Sequence, residues 1–169
     1  MSQPLQPPKQ CRDDPAIAGD ERLWRMIHPS QLKPDPNSQC KWTPVSGAFV
    51  DQQGEMSVDR ASLRKSVAET VKLKPYNHVA EFTAREVRDL GYHVYPAPTR
   101  MCRKCGVDIG EGDHPCPHCG ELDQIEPNPS HAIVCPKLTR SAARKISERP
   151  DVLVFLNPKS IAANKPPGG

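Results

Sequence analysis

Cys102-Arg103-Lys104-Cys105-Gly106 and Cys116-Pro117-His118-Cys119-Gly120 are the stretch on which the chain turns. Two Cys-x-x-Cys pairs stand ten residues apart, and a glycine closes each. Such a turn puts two sulfurs on one side of an ion while its backbone amides point at them. The glycines suit the positive φ or close approach that the turn requires. The spacer, GVDIGEGDHP, is rich in Gly and Asp and suits a hairpin-like excursion that sets the second pair opposite the first. Zinc, which prefers four tetrahedral ligands with sulfur at about 2.3 Å, is the expected staple.

CRKCG…CPHCG resembles the paired knuckles of zinc ribbons and rubredoxin-like modules over residues 102–120. The resemblance implies a four-thiolate site with Cys102, Cys105, Cys116 and Cys119 as ligands to one structural Zn²⁺. Iron can occupy similar sulfur geometry. A closed four-thiolate site leaves no open position for water, so it speaks for structure rather than zinc catalysis. Four metal-free thiols are the plain alternative, but two regular pairs are hard to explain as core filling. A redox-active Cys-x-x-Cys lacks its usual helix N-terminus here. His114 and His118 are spare ligands that complete thiolate ligation does not need. Residues 100–126 offer only Met101, Val107, Ile109, Leu122 and Ile125 as sizeable apolar side chains. These cannot form a core, so metal binding, on the order of 10 kcal/mol or more in small zinc modules, has to supply the folding free energy.

Composition bounds the remainder. The 169 residues fit one domain carrying a small insert. Twenty prolines, 5% aromatics and a mean hydropathy of -0.64 predict a small aliphatic core beside unpacked segments. The net charge of +3 does not imply nucleic acid by itself. Residues 100–136 carry three basic and six acidic groups, whereas 137–169 carry seven and two. Phosphate binding by the cysteine segment is therefore disfavoured, and a protein partner suits it better. Met1 to Gln10 has no apolar leader core, and no run approaches the roughly 18 apolar residues of a membrane span. A reducing, cytoplasmic setting is expected, in which paired Cys-x-x-Cys favours metal over disulfide.

Outward from the cysteines, the pattern predicts an α+β fold: a small mixed sheet, two or three short helices and an inserted zinc ribbon. Strands are expected over ERLWRMI (21–27), VSGAFVD (45–51), MSV (56–58), YHVY (92–95), HAIVC (131–135) and DVLVFL (151–156), with VAEF (79–82) a short apolar stretch. The proline-rich HPSQLKPDPNSQCKWTP reads as a loop kept out of any central strand. Leu63, Val67 and Val71 repeat at i, i+4, i+8 and predict a helix over 59–71. Thr83 to Glu86 has the capping-box pattern, with Gly91 at the expected C′ position of a helix over 84–90. A second short helix is expected over 139–148. The domain reading is a disordered arm (1–20), a body (21–99 plus 127–156), the ribbon (100–126) and a disordered tail (157–169). Cys11 reads as a bystander in the arm, and the terminal Gly168-Gly169 is too little to use.

RLWRMIHPSQLKPD, SGAFVD…MSVDRASL and NPSHAIV resemble a group of small bacterial proteins of uncharacterised function, over roughly 22–65 and 127–135. No activity carries over from that resemblance. Read chemically, Arg25, His28, Ser46, Asp59 and His131 lie near strand ends or turns and could converge on an ADP-ribosyltransferase-like dinucleotide site. Ordinary polar hydrogen bonding is the preferred reading. Cys135 and His131, four residues apart on one strand, are separated by about 13 Å and cannot bond to each other. Cys135 therefore reads as a buried structural thiol. Arg140, Arg144, Lys145 and Arg149 could form a basic strip for nucleic acid, but no aromatics interleave them. The expected function is a zinc-stabilised, non-enzymatic interaction module for a protein partner, with no membrane role. A nucleic-acid binder using the basic helix and an enzyme with its site in the body are the alternatives.

Overall fold

The structure is a computed structural model that describes residues 11–51, 54–71, 74, 77–149 and 152–157, with the side chains of 38–40 left aside. In chain order the strands and helices are β1 (Arg22–Ile27), β2 (Leu32–Asp35), β3 (Ser38–Pro44), β4 (Met56–Arg60), α1 (Val67–Thr70), β5 (His78–Thr83), α2 (Ala84–Asp89), β6 (His93–Pro96), β7 (Thr99–Cys102), β8 (Asp108–Gly110), β9 (Ile125–Asn128), β10 (His131–Cys135), α3 (Arg140–Ser147) and β11 (Leu153–Phe155). The α+β class read from the sequence is the one that forms. A six-stranded antiparallel sheet runs β11-β5-β1-β4-β10-β6, and β2 pairs with β3 in a separate hairpin.

Alternation decides which way the main sheet faces. Leu23, Ile27, Val58, Ala80, Phe82, Val94, Ala132 and Val134 bury one face against α2, α3 and the short 3-10 helix Ser46–Phe49. Phe49 meets Phe82 edge-on, with ring centroids 5.7 Å apart. On the other face the register aligns one row across five strands: Leu153, Glu81, Trp24, Asp59 and His131. Trp24 Nε1 donates to Glu81 Oε2 at 2.7 Å, which satisfies a buried carboxylate from the neighbouring strand. Trp24, Asp59 and His131 of this row become the floor of a cleft.

The capping box forms at the expected place. Glu86 N donates to Thr83 Oγ1 at 3.4 Å, Thr83 N donates to Glu86 Oε2, and Gly91 follows the helix at φ 87°. Thr83→Ala is expected to destabilise the protein by about 1 kcal/mol, read as a lowered urea midpoint at unchanged m.

Three sequence expectations are corrected. Residues 45–51 make a 3-10 turn instead of a strand, because Val45, Ala48 and Phe49 sit at helical spacing and two of them bury against the core. The helix over 59–71 shrinks to Val67–Thr70. The sheet claims its first two residues: Asp59 pairs with Trp24 and His131 in the ladders, and Arg60 N donates to Ser130 O at 2.8 Å. Tertiary pairing overrides the apolar repeat, and Leu63 is left exposed.

The third correction is the arm. From Cys11 onward it packs on the body, while residues 1–10 lie outside the described residues. Ile17 is fully buried in the core. Arg88 of α2 clamps the segment, pairing with Asp13 at 3.0 Å and donating to Ile17 O and Asp14 O. Proline content hid this, because the partner is one arginine far along the chain. Residues 158–169 of the expected tail lie outside the described residues.

A half-buried ion pair closes the start of β1. Arg60 donates to both oxygens of Glu21 at 2.9 and 3.0 Å, and Ser62 Oγ adds a third bond. Burial alone raises the Glu21 pKa, but these bonds outweigh it and hold the carboxyl below the usual glutamate value. A depressed folded pKa stabilises the protein above the ordinary value, and that contribution is lost as pH falls through the folded one. Glu21→Gln is expected to flatten the acid limb of a stability–pH curve. An unchanged limb removes Glu21 as its source.

Candidate functional site

The ribbon grows from the sheet between adjacent strands β6 and β10 and forms its own three-stranded sheet, β8-β7-β9. Its two knuckles repeat one backbone pattern. Cys102 N donates to Val107 O (2.8 Å) and Gly106 N to Cys102 O (2.6 Å). Cys116 N donates to Glu121 O (3.3 Å) and Gly120 N to Cys116 O (2.8 Å). Gly106 and Gly120 close these turns at φ 72° and 73°, a region that side chains with a Cβ enter at a cost. Cys105 N and His118 N each donate to the sulfur that opens their knuckle, both at 3.4 Å.

The four Sγ atoms of Cys102, Cys105, Cys116 and Cys119 lie within 4.8 Å of one another. A tetrahedron with arms of about 2.3 Å has edges of about 3.8 Å, and the Cys102–Cys119 sulfur separation is 3.8 Å. The donor set and its spacing therefore fit a tetrahedral metal ion. The thiols themselves show what an ion there has to overcome. Burial and the neighbouring thiols push Cys105 up to about 12. Burial also opposes ionisation of Cys116, yet the N–H groups of Cys119 and His118 bring it down to about 7. Metal binding takes all four as thiolates and so releases protons.

The two spare histidines stand outside the four. His114 has both ring nitrogens near carbonyls, at 3.0 Å from Ile109 O and 3.2 Å from Pro115 O. His118 Nδ1 lies 3.3 Å from Cys105 Sγ, as a neighbour of the ligand set. Within residues 100–126 only Cys102, Ile109 and Cys116 are buried among the apolar side chains and cysteines, and none belongs to the main core. The ribbon has no core but its sulfurs.

A cleft of about 450 Å³ lies between the polar row of the sheet, the segment around α1, and the ribbon at Gly106 and Asp108. Asp59 is its most tightly held group. Arg64 donates to Asp59 Oδ2 through Nε (3.2 Å) and Nη2 (3.1 Å), and Thr70 Oγ1 donates to the same oxygen at 2.8 Å. Ser130 Oγ donates to Asn128 Oδ1 at 2.7 Å and lies 3.4 Å from Asp59 Oδ1. Arg64 also reaches Met101 Sδ, at 3.8 Å, which ties the cleft to the root of the ribbon.

His131 Nδ1 sits 2.7 Å from Ala97 O. A carbonyl only accepts, so Nδ1 carries a proton, and in a neutral ring Nε2 is then the acceptor. Among the described residues Nε2 has no hydrogen-bond partner.

No family model, curated protein or solved structure matches the chain.

The zinc-ribbon likeness thus rests on the knuckle geometry of this chain. Of the polar residues singled out in the body, the cleft brings together Asp59 and His131, whereas Arg25, in register with Ala80, sends its side chain to the opposite face of the sheet. The Arg25 guanidinium is already used, donating to Ala48 O (3.2 Å) and Ser57 O (3.0 Å) beside Asp51. His28 caps the 3-10 turn Pro29–Gln31, and Ser46 lines a different depression near Leu138 and Arg140. Sequence reasoning misses Arg64 and Thr70: the predicted helix makes Arg64 a solvated side chain, whereas the helix that forms is only Val67–Thr70 and Arg64 precedes it. The basic strip is divided: Arg144 pairs with Glu148 at 2.8 Å and Arg149 lies 3.7 Å from Glu86, while Arg140 and Lys145 are exposed.

Cys11 and Cys135 form a disulfide. This corrects both the bystander reading of Cys11 and the free-thiol reading of Cys135. Strand β10 presents Cys135 where the packed arm delivers Cys11, a juxtaposition that 124 residues of sequence separation conceal. No helix among the described residues is long and apolar enough to cross a membrane.

Proposed function

We propose that the protein is a zinc-stabilised, non-enzymatic interaction module whose ribbon presents an acidic outer face to a protein partner. The observation that carries this reading is the four-sulfur cluster inside a segment with no other core. Cys102, Cys105, Cys116 and Cys119 hold one Zn²⁺, and the ion, with every position taken by sulfur, supplies rigidity rather than a reactive water. Charge supports the partner class. Arg100 pairs with Asp113 and Lys104 with Glu121, and the six carboxylates of residues 100–126 outnumber their three cations. Asp123 is exposed. A cytoplasmic setting keeps such thiolates available to metal.

The test is partner capture from the native host with wild-type chain and with Asp123→Lys/Glu126→Lys. The reading expects a specific protein partner that the charge reversal releases while zinc content stays unchanged. The same partners on both chains contradict it. Nucleic-acid binding by the basic strip Arg140, Arg144, Lys145 and Arg149 has weaker support, since Arg144 and Arg149 are engaged in ion pairs.

A second reading is favoured by one observation, the Nε2 acceptor of His131 in a cleft large enough for a small ligand. In it the body binds a dinucleotide, as in an ADP-ribosyltransferase-like enzyme, and the ribbon is scaffold. NAD⁺ is the probe: this reading expects it to raise the melting temperature of the wild type and not of His131→Gln. No shift in either chain contradicts it.

A further inference from the structure

We propose that the Cys11–Cys135 disulfide masks a second metal site, opened by reduction, in which Cys11 Sγ, Cys135 Sγ and a carboxylate oxygen of Glu55 bind a divalent ion. These three ligand atoms lie within 4.8 Å of one another, although they come from the arm, β10 and the segment before β4. Glu55 is oriented from behind, since Tyr95 OH donates to its Oε2 at 3.2 Å. A hydrogen bond that fixes a ligating carboxylate is the usual support of a built metal site. Cys135 is rigid: it is fully buried and registered against His93 in the sheet. Cys11 is only half-buried and precedes the first anchor of the arm, Asp13, by two residues. Two thiolates on one ion need to part to a tetrahedral edge of about 3.8 Å, and the Cys11 side can supply that movement.

The chemistry differs from that of the ribbon. Two thiolates and one carboxylate suit Zn²⁺ and leave the fourth position to water or an incoming ligand, whereas the ribbon cluster is closed. The step needs a dithiol reductant. Its thiolate attacks one sulfur of the disulfide, and after exchange the reductant leaves as a disulfide and the protein holds two thiols. Zinc then displaces the two thiol protons. A disulfide oxidant reverses the sequence by thiol–disulfide exchange: it leaves as a dithiol, the Cys11–Cys135 bond closes, and the ion is expelled. The site is therefore a redox-gated zinc site, loaded only when the arm is reduced.

Zinc content of the full chain tests this. The protein is saturated with Zn²⁺ without reductant, freed of excess metal and assayed, then treated with tris(2-carboxyethyl)phosphine and assayed again. The expected change is from about one to about two zinc ions per chain. Cys11→Ser is expected to stay at the lower value in both states, and Tyr95→Phe to bind the second ion about 10-fold more weakly. An equal zinc content before and after reduction of the wild type overturns the proposal, and that comparison needs no variant. A rise from none to about one that Cys11→Ser abolishes supports the gated site while removing the ribbon cluster as a zinc site, and one that Cys11→Ser keeps assigns the ion to the ribbon and overturns the gated site, so the two readings fail separately.

Discussion

Cys102→Ser releases the metal and unfolds the ribbon, and the six-stranded sheet survives. The expectation follows from where each part keeps its stabilising contacts. Apparent binding free energies of structural zinc run to about 10–16 kcal/mol in small zinc modules at neutral pH. The ribbon has little to replace that, with Leu122 exposed and Ile109 its one buried aliphatic side chain. The body core runs from Ile17 to Ile146 without a ribbon residue. Loss of the ion should therefore bring proteolytic cleavage within 103–124 and collapse of amide dispersion there, while core amides of β1, β4, β5 and β10 keep their positions. Unfolding of the whole chain contradicts the independence of the two parts. An intact ribbon without metal contradicts the staple itself.

Asp59→Ala is the second large effect, a loss of about 3–5 kcal/mol in global stability. Asp59 and Arg64 have side-chain exposures of 12% and 11%. Removing the carboxylate leaves a largely buried guanidinium unpaired and strips Thr70 Oγ1 of its acceptor. A double-mutant cycle separates the pair from the packing. If unpaired charge is the source, Asp59→Ala/Arg64→Met is more stable than Asp59→Ala alone. Additive losses instead point to the shape of the cleft floor. The same double variant loosens the segment around α1, so any ligand of the cleft should bind it more weakly than the wild type.

Local chemistry was legible where a few neighbouring residues decide the outcome. Two cysteine pairs with their glycines fix a knuckle within five residues each, and Thr83, Glu86 and Gly91 fix both ends of α2. Strands β1 and β10 announce themselves by alternation or by a short apolar run. The cleft was not legible, because its floor is a register and not a motif: Trp24, Asp59 and His131 meet only once three strands have chosen their pairing. Asp59 also misled, since an acidic residue before an apolar repeat has the form of a helix cap. The arm shows the converse. Its prolines and acids read as an unpacked segment, but Arg88 and Cys135 hold it on the body from outside. The hairpin β2–β3 was hidden in the same way: its prolines keep it from a central strand, yet they tolerate an isolated pair with Asp35-Pro36-Asn37 at the turn.

The most direct measurement of the central claim is the metal content of the non-reduced protein, taken alongside Cys102→Ser. The account predicts about one zinc per wild-type chain and none in the variant. Wild-type protein that holds no metal while its ribbon amides remain dispersed and protected contradicts it.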